Sequence, residues 1–262
     1  MPPDPVDPLA PLRRDPSAAG VFADFDGTLS PIVPEPEDAA PAPGVPALLD
    51  ALAARYRTVA VISGRPVAFL AAHLPPSVLK VGLYGLERLQ GDQLVVDPEA
   101  ERWRPVVADA VARCQRAAPA GVRVESKQLS LTLHFRGRPE VQPLAAQLAE
   151  TVAAATGLEV RPARRSFELH PPVDADKGTA LRSLAAGLRA VCFLGDDVGD
   201  LPAFRALDEL AADGVATVRV AVRSDEVDPQ VLAASDVAVD GPAGVVAVLR
   251  RLLDPDAAAP AP

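Results

Sequence analysis

Four short segments of this sequence carry side chains whose types and spacing could do chemistry on a bound anion. The first is DFDGT at residues 24–28, at the end of an apolar run. Two carboxylates at alternate positions, followed by glycine, can surround one anion together with backbone N–H groups, because ligands of open α/β sheets bind beyond the carboxyl ends of strands. A turn or a calcium loop is the alternative. A calcium loop needs further acids, whereas its fifth and seventh positions here would be Thr28 and Ser30.

The second and third segments offer groups that suit phosphate oxygens. Ser63 and Arg65 lie in ISGRP, again after an apolar run, and a hydroxyl beside a guanidinium can bind a phosphate. A simple turn explains this segment equally well. Lys177 opens a predicted helix in DADKGTAL, where a cation opposes the helix dipole. A bound anion would offset that cost, and a solvated lysine is the alternative.

The fourth segment, GDDVGD at residues 195–200, crowds three carboxylates after the apolar run VCFL. Asp196, Asp197 and Asp200 repel one another unless a cation neutralises them. Oxygen ligands alone favour Mg²⁺, which binds one or two carboxylates together with substrate phosphate. The sequence therefore predicts a magnesium site, with an acidic loop that binds no metal as the alternative.

The elements around these segments predict an α/β fold with a Rossmann-like parallel sheet. Short apolar runs alternate with helical stretches, as in βαβ units. The predicted strands of this part are 21–25, 58–62, 81–84, 191–194, 219–222 and 237–239. Three of the four segments follow such strands and the fourth opens a helix, so we expect all four at one edge of the sheet.

The order of predicted elements changes in the middle of the chain, where pairs of adjacent strands alternate with helices. This order predicts an inserted α+β cap domain over residues 102–171. The first part of the core is predicted at 18–101 and the second at 172–253. A Pro-rich N-terminal segment, expected to be irregular, covers residues 1–17, and a disordered tail is expected at 254–262.

Composition excludes several classes of protein. The 262 residues carry 26 basic and 35 acidic side chains, a net charge of −9, which argues against nucleic acid or an anionic membrane as partner. No apolar run is long enough for a membrane span, and the first residues lack a signal-peptide pattern, so we expect a cytoplasmic protein. Two cysteines, Cys114 and Cys192, are too few for a disulfide framework or a zinc site. Neither the composition nor the motifs specify an oligomeric state.

Taken in order, DFDGT, Ser63, Lys177 and GDDVGD resemble the four motifs of phosphatases of the haloacid dehalogenase superfamily. The segments DFDGTLSPIVPEPEDA, ISGRP and ELHPPVDADKGTAL are similar to the trehalose-6-phosphate phosphatase family, over roughly residues 20–252. The last motif commonly reads GDD-x-T-D-E, whereas Gly199 and Leu201 replace the Thr and the Glu here. A common His-Gly pair is replaced by Tyr84-Gly85.

This resemblance implies Mg²⁺-dependent hydrolysis of trehalose 6-phosphate. Asp24 would be the nucleophile that forms an aspartyl-phosphate, and Asp26 would act as general acid and then as general base. The implied phosphate ligands carry a hydroxyl or a positive charge: Thr28, Ser63, Lys177 and, assisting from its turn, Arg65. The implied metal ligands are oxygen donors: the Asp24 carboxylate, the Asp26 carbonyl and Asp196, supported by Asp197 or Asp200.

Sugar recognition is expected from polar residues near or within predicted strands of the cap. The candidates are Lys127, His134, Arg136 and Glu168, with Glu87 of the core as a further candidate. Lys127 stands out because the chain has only three lysines beside 23 arginines. A packing role for His134 and a solvated face for Arg136 and Glu168 are the alternatives.

Other readings of the motifs differ in substrate or in class. The same chemistry could act on glucosyl-3-phosphoglycerate, a hexose phosphate or another sugar phosphate, or serve a mutase. A sugar-phosphate sensor without catalysis is the non-enzymatic alternative. A nucleotide-binding protein is disfavoured, since DFDGTLS contains neither GxGxxG nor GKS or GKT.

Overall fold

Two sheets organise the computed structural model, which describes residues 7–163, 165–225 and 227–254. In this part of the chain the strands are β1 (Ala19–Ala23), β2 (Thr58–Ile62), β3 (Leu79–Gly82), β4 (Glu87–Gln90), β5 (Gln93–Val96), β6 (Arg123–Ser126), β7 (Leu131–His134), β8 (Glu159–Ala163), β9 (Ser166–His170), β10 (Ala190–Gly195), β11 (Ala216–Arg223) and β12 (Val237–Asp240).

The α-helices are, over the same described residues, α1 (Ala10–Arg14), α2 (Val45–Ala53), α3 (Val67–His73), α4 (Pro98–Arg102), α5 (Arg104–Ala117), α6 (Gln142–Thr156), α7 (Lys177–Leu184), α8 (Leu201–Ala212), α9 (Pro229–Ala233) and α10 (Gly241–Leu253). Two compact units contain these elements. Described residues up to Leu94 and from Asp176 onward form the first unit, and Val95–Ala175 form the second.

The large sheet has eight strands in the order β12-β11-β10-β1-β2-β3-β4-β5. The strands from β12 to β3 are parallel, and β4 pairs antiparallel with β3. Chain order reverses between β1 and β10, and such a switch point opens a crevice at the carboxyl ends of the strands. The predicted Rossmann-like α/β fold is confirmed, although the short strands β4 and β5 were not predicted, because none of their residues is buried.

Both faces of the central strands are buried, which explains their uninterrupted apolar runs. In β1, Val21 and Ala23 belong to one apolar cluster and Phe22 to the other, as successive side chains of a strand point to opposite faces. Helices α2 and α10 contribute to the first cluster, and α7 and α8 contribute to the second.

The N-terminal segment differs from the irregular one expected at residues 1–17. Helix α1 forms within it, and Leu9 and Leu12 are buried in the first apolar cluster. Pro11 does not prevent this helix, because proline is tolerated in the first turn, where its missing N–H leaves no bond unmade. Residues 1–6 and most of the expected tail, residues 255–262, lie outside the described residues.

The second unit contains a four-stranded antiparallel sheet in the order β6-β7-β9-β8. Helices α5 and α6 pack on one face of this sheet, and the shared cluster includes Val111, Leu131, Leu133 and Leu169. The predicted insertion, residues 102–171, lies within this unit. In the described ranges, no helix of either unit combines the length and apolar character needed to cross a membrane.

Candidate active site

Asp24 lies at the carboxyl end of the central strand β1. Its backbone N–H donates to the Leu194 carbonyl of β10 over 2.8 Å, which extends the parallel pairing by one residue. A tight turn follows, in which the Ser30 N–H donates to the Phe25 carbonyl (2.9 Å) and the Gly27 N–H donates to the Ser30 carbonyl (2.8 Å). The first motif is therefore anchored on the strand beside the switch point.

Gly27 brings the backbone of this turn against the carboxylate of Asp196. Its φ is +82°, and a Cβ at this position would stand 2.0 Å from Oδ2 of Asp196. The hydroxyl of Thr28 donates to Oδ1 of the same carboxylate over 3.3 Å. Glycine is thus required here both by the left-handed backbone and by the close approach of Asp196.

Asp200 organises the loop after β10. Its Oδ2 accepts from the backbone N–H groups of Asp196 (2.9 Å) and Asp197 (3.0 Å). The carboxylate of Asp197 accepts from the Gly199 N–H (3.2 Å) and caps the 3₁₀ turn Val198–Asp200. Asp200 is fully buried, whereas Asp197 is half-buried. The acidic loop is therefore folded around the side chain of Asp200.

Lys177 bridges two of these carboxylates. Its Nζ lies 2.8 Å from Oδ1 of Asp24 and 2.6 Å from Oδ1 of Asp200, and all three side chains are buried. Helix α7 begins at this lysine, and a capping box between Asp176 and Thr179 fixes its start. Although burial favours the neutral amine, the two carboxylates raise the pKa of Lys177, so it is charged.

The carboxylates of Asp24, Asp196 and Asp200 form one cluster, with an oxygen from each within 4.8 Å of the others. Lys177 brings one positive charge to these three acids. Burial, opposed by Lys177 and reinforced by the neighbouring carboxylates, raises the pKa of the Asp24 carboxyl well above its usual range, and a cation bound beside it would favour the ionised form. Buried oxygen donors with a deficit of positive charge fit a divalent cation.

Ser63 follows β2, the next strand along the sheet from β1. Its backbone N–H donates to the Val81 carbonyl (2.9 Å), and its buried hydroxyl accepts from the Arg65 N–H (3.2 Å). The parallel pairing of β1 with β2 matches Ala23 with Val61, so the ends of these strands meet at one edge.

Arg65, which was expected to assist in phosphate binding, contacts a carboxylate. Its Nε and Nη2 donate to Oδ2 (2.8 Å) and Oδ1 (2.7 Å) of Asp26, and its Nη1 donates to the Pro36 carbonyl (2.8 Å). No local pattern in the sequence predicts this pair.

Glu87, a predicted sugar contact, caps a helix. One of its carboxylate oxygens accepts from the backbone N–H of Val67, the first residue of α3, over 2.9 Å. An acidic group is favourable at a helix N-terminus, so the side chain has a structural contact that its sequence position gave no sign of.

In the second unit, Glu168 lies among polar partners. Its Oε1 accepts from the Ser130 hydroxyl (2.6 Å), and its Oε2 lies 3.7 Å from Nζ of Lys127. Thr132 pairs across the sheet with Glu168, and its buried hydroxyl has no hydrogen-bond partner among the described residues. Neither Ser130 nor Thr132 was among the predicted site residues.

His134 and Arg136 lie at the other end of β7. Nε2 of His134 is 2.6 Å from Oε2 of Glu125 on the neighbouring strand. Arg136 is half-buried in the turn that follows β7. Thr132 and His134 alternate with the core residues of β7, so one face of this sheet is polar.

Comparison with known protein families gives a match for most of the chain. A family model described as trehalose-phosphatase matches residues 22–241. The trehalose-phosphate phosphatase of Mycobacterium ulcerans (strain Agy99) is 36% identical over 246 residues, 88% of this chain and 60% of that protein. That of Mycobacterium avium (strain 104) is 34% identical over 248 residues, 89% of this chain and 62% of that protein. This chain therefore spans about three fifths of these curated relatives.

Solved structures share the fold. The C-terminal domain of trehalose-6-phosphate phosphatase from Candida albicans has a TM-score of 0.75 at 23% identity and covers 94% of this chain and 95% of its own. Trehalose-6-phosphate phosphatase from Aspergillus fumigatus, crystal form 3, has a TM-score of 0.63 at 26% identity, with 96% and 98% covered.

Proposed function

We propose that this chain, as a member of the trehalose-phosphatase family, hydrolyses trehalose 6-phosphate to trehalose and inorganic phosphate, with Mg²⁺ as cofactor. One observation carries the proposal: the buried cluster in which Lys177 contacts Asp24 and Asp200 beside Asp196. A nucleophilic carboxylate, a fixed cation and oxygen ligands for a metal are the groups that transfer of a phosphoryl group to a carboxylate requires.

The proposed metal ligands are the carboxylates of Asp24 and Asp196 and the carbonyl of Asp26. Bound there, a divalent cation would screen the negative nucleophile from the negative phosphate and stabilise charge in the transition state. Asp200 is proposed as a support, because its oxygens accept from Lys177 and from two backbone N–H groups. Asp197 is proposed as an outer support from the same loop.

In the proposed reaction, a carboxylate oxygen of Asp24 attacks phosphorus while the bond from phosphorus to the sugar oxygen breaks. Asp26 gives its proton to that leaving oxygen. The resulting Asp26 carboxylate then takes a proton from a water molecule, which attacks the phosphorus of the aspartyl-phosphate and releases inorganic phosphate with Asp24 restored.

Three side chains are proposed to bind the phosphoryl oxygens: the hydroxyls of Thr28 and Ser63 and the ammonium of Lys177. The backbone of Thr28 belongs to the turn after β1, and Ser63 follows the adjacent strand. Lys177 keeps its charge at neutral pH, since its pKa is raised by its carboxylate neighbours. A charged hydrogen-bond donor is stronger than a neutral one toward phosphate.

We propose sugar recognition for the polar face of the second unit, within the proposed cap domain 102–171. Lys127 and Glu168 carry opposite charges on this face, His134 lies farther along it on β7, and Arg136 lies in the turn that follows β7. Sugar hydroxyls both donate and accept, so such a set of donors and acceptors suits them. Glu87 is also proposed as a sugar contact, beside its task at helix α3.

The proposed partner is a small sugar phosphate and not nucleic acid, in keeping with the net charge of −9. The cytoplasm is the proposed location. Both cysteines, Cys114 and Cys192, are buried and free, as expected in a reducing compartment. Cell fractionation tests this location.

Phosphate release tests the activity. Initial rates are measured with trehalose 6-phosphate, glucose 6-phosphate and glucosyl-3-phosphoglycerate, each with Mg²⁺ and with EDTA. We expect a strong preference for trehalose 6-phosphate that EDTA abolishes. If phosphate were instead released from another ester in a metal-dependent way, trehalose 6-phosphate would be refuted as the substrate. Binding of trehalose 6-phosphate in calorimetry without release of phosphate would instead favour the sensor.

A matched pair of variants tests sugar recognition. Glu168→Gln removes a buried charge from the polar face, whereas Glu159→Gln changes an exposed glutamate on β8 of the same sheet. Loss of one charged hydrogen bond costs about 1.5–3 kcal/mol, so we expect kcat/KM for trehalose 6-phosphate to fall about 10- to 100-fold in Glu168→Gln only. An equal effect of both changes would contradict this assignment.

A further inference from the structure

The guanidinium of Arg65 is held in one place by three hydrogen bonds. Two parallel bonds run to the oxygens of Asp26 at 2.8 and 2.7 Å, and a third runs to the Pro36 carbonyl at 2.8 Å. A bidentate pair between a guanidinium and a carboxylate fixes the relative orientation of the two groups as well as the distance between them. The side chain of Arg65 is 12% exposed and that of Asp26 is 34% exposed, so the arginine is the better fixed of the two.

An aromatic ring packs against one face of the same guanidinium. Its Cζ lies 4.4 Å from the centre of the Phe69 ring, within range of a cation–π contact. Phe69 stacks on His73 at 4.4 Å and meets Phe25 edge to face at 5.5 Å. Nδ1 of His73 lies 2.8 Å from the Phe69 carbonyl. His73 thus helps to fix the ring that packs against Arg65.

A strained turn holds the backbone that carries Arg65. Leu83 and Tyr84 adopt φ values of 50° and 61°, a conformation that costs a residue with a side chain about 1–2 kcal/mol. Their N–H groups donate to the carbonyls of Arg65 (3.1 Å) and Ser63 (3.0 Å) respectively. Strain of this kind is kept where the surroundings over-determine the geometry, and it clusters at functional sites.

We propose that Arg65 is a positioning residue, which holds the carboxyl group of Asp26 for proton transfer and does not bind the phosphoryl group. The inference rests on the proposed function, in which Asp26 protonates the sugar oxygen and then deprotonates water. Each oxygen of Asp26 accepts one bond from Arg65 and keeps a second lone pair. One of these lone pairs carries the transferred proton while the other oxygen stays bound to the arginine.

Substitutions of Arg65 and a matched control, measured in two assays, distinguish positioning from phosphate binding. Arg65→Gln removes both the positive charge and the two-bond pairing with Asp26. Arg65→Lys keeps the positive charge but cannot form that pairing. Arg219→Gln is the control, since Arg219 forms the same two-bond pair with Asp236 (3.0 and 2.6 Å) on β11. The readouts are kcat and KM for trehalose 6-phosphate with Mg²⁺, and the Kd of inorganic phosphate from calorimetry. Circular dichroism establishes that each variant is folded.

Positioning predicts that both Arg65 variants lower kcat about 100-fold, the scale of a misplaced catalytic group, while KM and the Kd of phosphate change less than about 3-fold. In an Asp26→Asn background, Arg65→Gln should cause no further loss, because residues acting through one another are not additive. Arg219→Gln should keep full activity.

Two results would overturn the inference: a Kd for phosphate that rises as much as kcat falls, or a full additional loss in the Asp26→Asn background. If Arg65→Gln fails to fold, Arg65→Lys decides by the same criteria. If the wild-type protein releases no phosphate from trehalose 6-phosphate, the proposed function itself is refuted. If the wild type is active but the Arg65 variants bind phosphate more weakly in proportion to their loss of kcat, only this inference is refuted.

Discussion

Gly27 offers a sharp test of how the first motif and the acidic loop fit together. An alanine at this position must adopt a φ of +82° and place its Cβ 2.0 Å from Oδ2 and 2.4 Å from Cγ of Asp196. Because packed atoms do not approach so closely, the carboxylate must retreat by about 1 Å. Asp196 belongs to the proposed metal site, so the displacement acts on the chemistry.

Two effects of Gly27→Ala can be separated by magnitude. The left-handed backbone costs an alanine about 1–2 kcal/mol, which lowers the free energy of unfolding. The displaced carboxylate adds a loss of activity, since a misplacement of about 1 Å can cost about 100-fold in rate. We therefore expect modest destabilisation together with a fall in kcat/KM of about 100-fold.

Gly214→Ala is the matched control for this prediction. Gly214 has a φ of +87°, and a Cβ there would meet no atom within 4 Å. Urea unfolding should show destabilisation of both variants, larger in Gly27→Ala because displacing the buried Asp196 carboxylate adds about 1–3 kcal/mol, while phosphate release should fall only in Gly27→Ala. Equal activity of the two variants would refute the reasoning, because backbone strain alone would then explain the glycine.

Three further predictions follow from buried or paired groups. Lys177→Met should lower the free energy of unfolding in EDTA by about 3 kcal/mol in urea titrations, because two buried carboxylates lose their cation. Burial raises the pKa of the Cys114 thiol to about 11 and that of Cys192 to about 12, so neither should react with a disulfide reagent at pH 8 before unfolding; rapid reaction of the native protein would contradict this. The Arg219 hydrogen bond lowers the pKa of Asp236, so this pair stabilises the fold above the ordinary aspartate pKa and loses that effect as pH falls through the lowered value. The stability difference between wild type and Asp236→Asn should therefore shrink toward low pH, and a difference that grows would contradict the pairing.

Much of the fold and of the central cluster was predictable because both depend on local pattern and on a general property of parallel sheets. Apolar runs buried on both faces indicate central strands. Residues that follow such strands share one edge, which is why Asp24 and Asp196 could be expected close together from segments far apart in sequence. The lysine at the start of α7 stood out because its charge opposes the helix dipole.

Partners chosen by tertiary packing were not predictable. Nothing local in ISGRP shows that Arg65 bonds to Asp26, 39 residues away. The cap that Glu87 gives α3 likewise depends on a long-range approach, as does burial of Leu9 and Leu12 in a Pro-rich segment. Each of these contacts joins two elements that are distant in the sequence.

The polar face of the second unit was predictable only in part. Polar Thr132 and His134 alternate with buried Leu131 and Leu133 in β7, and that period of two signals a strand with one polar face. The pattern could have indicated Thr132. Ser130 comes directly before β7 and Glu168 lies on β9, and their contact joins residues 38 apart in the chain, so the pairing itself needed the structure.

The measurement that tests the central claim most directly is phosphate release from trehalose 6-phosphate by wild type and by Asp24→Asn, both with Mg²⁺. The substitution removes the nucleophilic oxygen and preserves the size of a buried side chain that contacts Lys177. We expect rapid release by the wild type and a loss of at least about 1,000-fold in a variant with an unchanged circular dichroism spectrum. Appreciable release by folded Asp24→Asn would contradict the assignment of this carboxylate as the nucleophile.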